Sequence, residues 1–342
     1  MHQLPRSFLW LARAALLLCF GVVVLGAYVR LSAAGLGCPD WPGCYGHVTP
    51  AAALAHSLDA GAQFGGQVVE LGKAWREMIH RYAAGTLGLL IVVIAALAIQ
   101  YRREPWSPLP LALGLVGIVV AQGMLGALTV TWRLTPLIVT SHLLFGLTTL
   151  SLLCWLVLSL SRPARAGLML GVAPFSALRW VALLSLVVVA SQIALGGWTS
   201  SNYAATACPD FPLCHGAWLP EGNYREAFVL WRGLGVNYEG GVLDLAARVA
   251  IQFTHRCGAV VTTLVLLWAT ALAWRNAPAA RPAAALVLAV LALQLIIGAA
   301  MVLKAFPLWL ATAHNAGAAA LLLSVIAFNF QLRDRPPGGV KW

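Results

Sequence analysis

The chain has 342 residues, 61% of them hydrophobic and only 10% charged, with a formal net charge of +11. An ordinary soluble domain carries about 25% charged residues, so this chain lacks the polar surface to cover a soluble core, whereas a bilayer interior is itself apolar. No basic patch interleaved with aromatic residues accompanies the charge, which argues against nucleic-acid binding.

A helix needs about 20 apolar residues to cross roughly 30 Å of hydrocarbon. Eight stretches meet that need: approximately 8–29, 76–99, 109–130, 137–160, 178–199, 247–274, 283–303 and 308–330. The first is longer than a usual signal-peptide apolar region and has no convincing small-residue cleavage site after it, so it reads as a retained span. The runs 161–176 and 275–282 are polar or contain Pro and Arg, and the first of them divides the chain into halves, 1–165 and 175–335, of four spans each. The N-terminus with Arg13, 100–108, 161–179, 275–282 and 331–342 together hold 12 Lys/Arg and two acids, against 10 and nine on the other side. The positive-inside rule then places both termini in the cytoplasm and the two long loops, about 31–75 and 200–246, on the outer face of a cell inner (plasma) membrane.

The halves repeat one another. Gly26-Ala-Tyr-Val-Arg-Leu-Ser precedes Cys38-Pro-Asp-Trp-Pro-Gly-Cys44, and Gly196-Gly-Trp-Thr-Ser-Ser-Asn precedes Cys208-Pro-Asp-Phe-Pro-Leu-Cys214. His80-Arg81 answers His255-Arg256, Gln122-Gly-Met-Leu-Gly126 answers Gln294-Leu-Ile-Ile-Gly298, and His142 answers His314, at offsets of 170, 175, 172 and 172 residues. Two repeats of four spans share one orientation and are related by an axis along the membrane normal. The expected fold is all-α, two pseudo-symmetric four-helix bundles side by side.

His80, His142, His255 and His314 fall near the outer ends of the four even-numbered spans. Histidines inside a membrane are rare and face the protein interior. One alone reads as an interhelical hydrogen bond; four paired by a repeat at one depth read as metal ligands. A zinc site wants three or four protein ligands, and each half repeats only two. Two imidazoles from facing helices suit the axial positions of a haem iron. Small neighbours, Ala83, Ala84 and Gly85, Gly146, Gly258 and Ala259, Gly317 and Ala318, leave room for a flat macrocycle. Arg81 and Arg256 suit haem propionates, or are charges snorkelling at a helix end.

Glu77 breaks the repeat: it lies three residues before His80, on the same helix face, where the second half has Gln252. It either pairs with Arg81 or does general acid/base or electrostatic work in the first half. Di-iron bundles also use Glu-x-x-His but need two such motifs and two more glutamates, and the other spans hold no acid.

Cys38 with Cys44 and Cys208 with Cys214 are expected to form one disulfide per outer loop, where disulfides persist; a shared zinc site or a redox-active pair are the alternatives. Cys19, Cys154 and Cys257 read as small packing residues. His47, His56 and His215 read as solvated loop residues. Gln122, Gln192 and Gln294 each precede a glycine by four residues and read as interhelical hydrogen bonds beside close helix contacts, with Gln122 a further candidate to line the first pocket.

Glu77-Met-Ile-His80-Arg81, the paired histidines, the two Cys-x5-Cys loops and the eight-span duplication together resemble the heme A synthase family, over about 8–330. The resemblance implies oxidation of the C8 methyl group of haem O to a formyl group, through an alcohol and a geminal diol that loses water, giving haem A for cytochrome oxidase assembly. It implies haem O at His80 and His142, haem b as a cofactor at His255 and His314, and Glu77 as the essential carboxylate. Expected partners are haem O, a haem O synthase in the same membrane, an unidentified electron acceptor, the lipid bilayer and a possible second copy. A dihaem b-type electron-transfer cytochrome is the rival reading. A transporter fits less well, because no broken helices lie near the midplane.

Overall fold

The computed structural model describes residues 5–56, 63–64, 68–161 and 177–333, and these are helical with no strands. Eight helices are long and apolar enough to cross a membrane. They are α1 (Arg6–Leu31), α2 (Leu71–Gln100), α3 (Leu109–Thr131), α4 (Pro136–Ser161), α5 (Ala177–Ser201), α6 (Leu245–Asn276), α7 (Arg281–Leu303) and α8 (Leu308–Leu332). All eight expected spans are present. The boundary between the halves, 162–176, and the basic residues of 334–342 lie outside the described residues.

Prolines mark several helix starts: one stands in the first turn of α3, α4 and α7, and Pro307 caps α8. A first-turn proline forgoes an N–H that has no helical partner anyway. At 30 and 32 residues, α2 and α6 run about 45 Å or more at 1.5 Å per residue. They outreach the hydrocarbon, and α2 begins five residues before the expected span. Their first turns therefore stand where the cysteine loops pack; the Asp244 side chain opens α6 by accepting from the Ala247 N–H at 2.7 Å.

Each half closes into a ring. Helix α1 packs on α2, α2 on α3, α3 on α4 and α4 on α1; α5 to α8 repeat the pattern. The rings meet where α1 touches α8, α4 touches α5, and α4 touches α8. Exchanging the halves maps the first two contacts onto each other and the third onto itself, as the repeat requires. The backbone repeats as finely: left-handed φ values recur at Ala33 and Tyr203, Tyr45 and His215, Arg133 and Ala305, and Leu134 and Phe306.

The main core lies toward one end, built from small and branched residues such as Ala12, Ala15, Ile91, Leu153, Ala269 and Val287. In every long helix but α5 the run of buried positions then breaks. It skips from Cys19 to Val29, Met78 to Leu87, Leu115 to Val130, Thr140 to Leu147, Gln252 to Thr262, Leu291 to Val302, and Ala311 to Ala319. All four paired histidines fall in these breaks. A membrane bundle packed to the density of a protein interior has no such layer; here the side chains at one depth are incompletely buried in both halves.

Candidate functional site

Each of the four histidines sits against a glycine of the preceding helix. A Cβ built on Gly26, Gly126, Gly196 or Gly298 would lie 2.8, 3.3, 3.2 or 3.1 Å from Cε1 of His80, His142, His255 or His314 respectively. At Gly26 only a residue without a side chain lets the ring lie there; at the other three a Cβ would crowd the ring by a few tenths of an ångström. One turn before three of those glycines stands a glutamine. Gln122, Gln192 and Gln294 donate from Nε2 to the backbone carbonyls of His142, His255 and His314 at 2.9, 2.9 and 3.0 Å. The Gln-x3-Gly spacing thus fixes both the backbone and the ring of the facing histidine. The fourth copy lacks the amide, since Val22 stands one turn before Gly26.

Gly146, Gly258 and Gly317 do something other than make room for a macrocycle. A Cβ on them would meet the amides of Gln122, Gln192 and Gln294 at 3.1, 2.2 and 2.1 Å, so they seat the glutamines. Gly85 does face open space, with nothing within 4 Å.

His80 and His142 stand on α2 and α4 of one ring, and His255 and His314 on α6 and α8 of the other. His80, His142 and His314 each keep a buried Nδ1 with no hydrogen-bond partner. In the second half the opened layer is a cavity of about 940 Å³, lined by His255, His314, Gln192, Gln294, Ala259 and Ala318 among others. That is at the large end of small-molecule sites. Apolar walls, His255 and His314 in the lining and the unpartnered Nδ1 of His314 fit a haem held by axial histidines. No group of three or more His, Cys, Asp or Glu among the described residues could hold a free metal ion.

The two cysteine loops close both rings in the same way. Cys38 is bonded to Cys44 and Cys208 to Cys214. The Asp40 carboxylate accepts from the N–H groups of Tyr45 and Gly46 at 2.6 and 2.9 Å; Asp210 accepts from His215 and Gly216 at 2.8 Å each. The Gly216 and His215 N–H groups hold the exposed Asp210 carboxyl below its ordinary range. Arg81 donates to the carbonyls of Asp40, Pro42 and Gly43, and Arg256 to those of Cys208, Pro212 and Leu213. Both arginines therefore clamp a loop, a role their sequence position alone does not reveal, and Arg256 also lines the cavity with its Nε unpartnered. His215 is exposed, with Nε2 2.8 Å from the Ala207 carbonyl, and His47 stacks on His56.

Glu77 is buried, 4% exposed, in the second turn of α2. One oxygen accepts from the Cys38 N–H at 2.9 Å and the other from Arg81 at 2.5 Å. Its counterpart Gln252 is equally buried, but it lines the cavity and its Oε1 has no partner. The first half thus ties a carboxylate to its disulfide loop, one turn from His80; the second leaves a neutral amide.

Two residues of the second cavity were not singled out by sequence, Arg30 and Arg248. The repeat hides Arg30, because the position that answers it is Ser200.

The chain matches the model of a family described as cytochrome oxidase assembly protein over residues 9–326. It is 43% identical to a heme A synthase of Shewanella oneidensis, over 94% of this chain and 96% of that one. It is 30% identical to a heme A synthase of a Methylobacterium species, over 94% and 90%. A heme A synthase of Shouchella clausii is 28% identical over 72% and 69%. Membrane helices, the paired histidines and these likenesses agree: the chain belongs to the heme A synthase family of cytochrome oxidase assembly proteins.

Proposed function

We propose that this protein is a membrane oxidoreductase that converts the C8 methyl group of haem O to the formyl group of haem A. The first half, 1–165, takes haem O as substrate between His80 and His142. The second half, 175–335, holds haem b between His255 and His314. The observation that carries this reading is the layer of facing histidine pairs, each ring seated on a glycine, where the helix packing opens.

Bound haem b supplies one-electron redox chemistry between substrate and an external acceptor. The chain's own residues do the rest. His80 and His142 would hold the substrate macrocycle close to Glu77, which shares a helix face with His80. Removing electrons from a methyl carbon develops positive charge there, and a fixed carboxylate stabilises it or takes a proton from attacking water. The Cys38 N–H and Arg81 hold that carboxylate in place, because a charge buried in a span persists only when it is paired and hydrogen-bonded. Gln252 cannot ionise, which suits a half that carries electrons without chemistry on its haem.

The charge asymmetry of the loops favours an inner-membrane orientation with both termini cytoplasmic, the cysteine loops outside, and haem O arriving laterally from a haem O synthase. Mass analysis of copurifying haems tests the reading. Haem O or haem A together with haem b is expected from the wild type, and haem O without haem A from Glu77→Gln. Haem b alone in every preparation refutes it in favour of a dihaem electron-transfer cytochrome.

A further inference from the structure

Resting on that reading, the second-half cavity carries a feature that the first half does not repeat. Three guanidinium groups, those of Arg30, Arg248 and Arg256, line it, and the Nε of each is buried without a hydrogen-bond partner. We infer that Arg30 and Arg248 form a carboxylate-binding rim that fixes the propionates of the second-half haem, with α1 of the first half lending Arg30 to it, while the terminal nitrogens of Arg256 stay on the carbonyls of Cys208, Pro212 and Leu213.

Arg30 reaches across the bundle boundary. It donates from one terminal nitrogen to the Ser200 carbonyl at 2.7 Å and to Ser201 at 3.4 Å, and its guanidinium lies 4.1 Å over the Tyr203 ring. Those carbonyls belong to the last turn of α5, whose free acceptors and partial negative charge favour a cation. The anchoring takes one terminal nitrogen and leaves Nε buried without a hydrogen-bond partner. Arg248 stands two turns before His255 on α6, on the same helix face, and its side chain has no partner among the described residues. A buried guanidinium nitrogen without an acceptor is costly, whereas a carboxylate such as a propionate accepts from guanidinium nitrogens in charge-assisted hydrogen bonds.

The first half spends its cations elsewhere. Ser200 occupies the place that answers Arg30. Lys73, which answers Arg248 at the offset of 175, pairs with Glu70 at 2.9 Å. Arg81, which answers Arg256, is paired with Glu77 and three loop carbonyls. A dianionic macrocycle is thus clamped in the second half and less so in the first. That difference separates a resident cofactor from a substrate that must leave as product.

The test uses the full chain with His80→Ala and His142→Ala, so that haem fills only the second half. The rate of haem transfer to excess apomyoglobin is followed by absorbance, with haem and with haem dimethyl ester, whose propionates carry no charge. Arg30→Gln and Arg248→Gln are each expected to speed haem loss about tenfold or more, as loss of a charge-assisted hydrogen bond predicts. Arg30→Lys should recover part of the effect, and the ester should leave at one rate from all variants. In the mirror background, His255→Ala with His314→Ala, haem and its ester should differ little. Wild-type rates in both glutamine variants overturn the inference while leaving the histidine site standing. Equal acceleration of haem and ester also overturns it, by showing a packing role. A background protein that holds no haem at all overturns the second-half site itself.

Discussion

Gly26→Ala isolates the seating of His80 from everything else in the first half. The new Cβ would lie 2.8 Å from His80 Cε1 and 3.3 Å from Nε2. Carbon atoms attract best at about 3.5–4.0 Å, so the ring must retreat by about 0.7 Å. A ligand constellation tolerates about 0.5 Å, so the axial bond to the substrate iron should fail or lengthen. The same change at Gly126 places its Cβ 3.3 Å from His142, a demand of only about 0.2 Å, inside that tolerance. Gly85→Ala meets nothing within 4 Å and is the control. Alanine in a helix interior gains roughly 0.5–1 kcal/mol over glycine, while crowding costs about 1–3 kcal/mol. Thermal stability should therefore move modestly as ligation changes greatly. Purified variants would be compared by absorption spectrum and haem stoichiometry. The expected order of lost six-coordinate low-spin signal is Gly26→Ala far beyond Gly126→Ala, with Gly85→Ala unchanged. A Gly26→Ala protein with full substrate haem and an unaltered spectrum would refute the glycine-seat argument.

Glu77→Gln should leave the disulfide and haem content intact while haem A falls below detection by extraction and mass analysis, since the amide can still accept from Cys38; Glu77→Ala should in addition lose about 3–5 kcal/mol by stranding Arg81, read from unfolding in detergent. Gln192→Leu removes the donor to the His255 carbonyl and should weaken second-half haem retention by about 10–100-fold, as loss of an outer-shell partner does; unchanged retention would show that the amide is incidental. Asp210 is depressed from 3.8 by the Gly216 and His215 N–H groups. A carboxyl whose folded value is lowered stabilises above its unfolded value and loses that contribution as pH falls through the folded one. The second cysteine loop should accordingly resist protease at pH 5 and open only below pH 3.8, with Asp210→Asn lacking that step.

The sequence alone determined the membrane class, the eight spans and the doubled architecture, because a bilayer leaves a segment few options but an apolar helix of fixed length. It also marked out the four histidines, since residues repeated at similar offsets occupy equivalent places in equivalent bundles. The Gln-x3-Gly spacing was visible as a contact motif, but only the packed helices identified its partner as a histidine. Arg81 and Arg256 could be placed beside the histidines but not told apart from propionate ligands, because their carbonyl partners lie about 40 residues away in sequence. Arg30 was beyond reach altogether: its partners are 170 residues distant and across a bundle boundary. Periodicity reports which face of a helix is buried; which atoms from distant segments fill the same space is settled only when the two rings pack together.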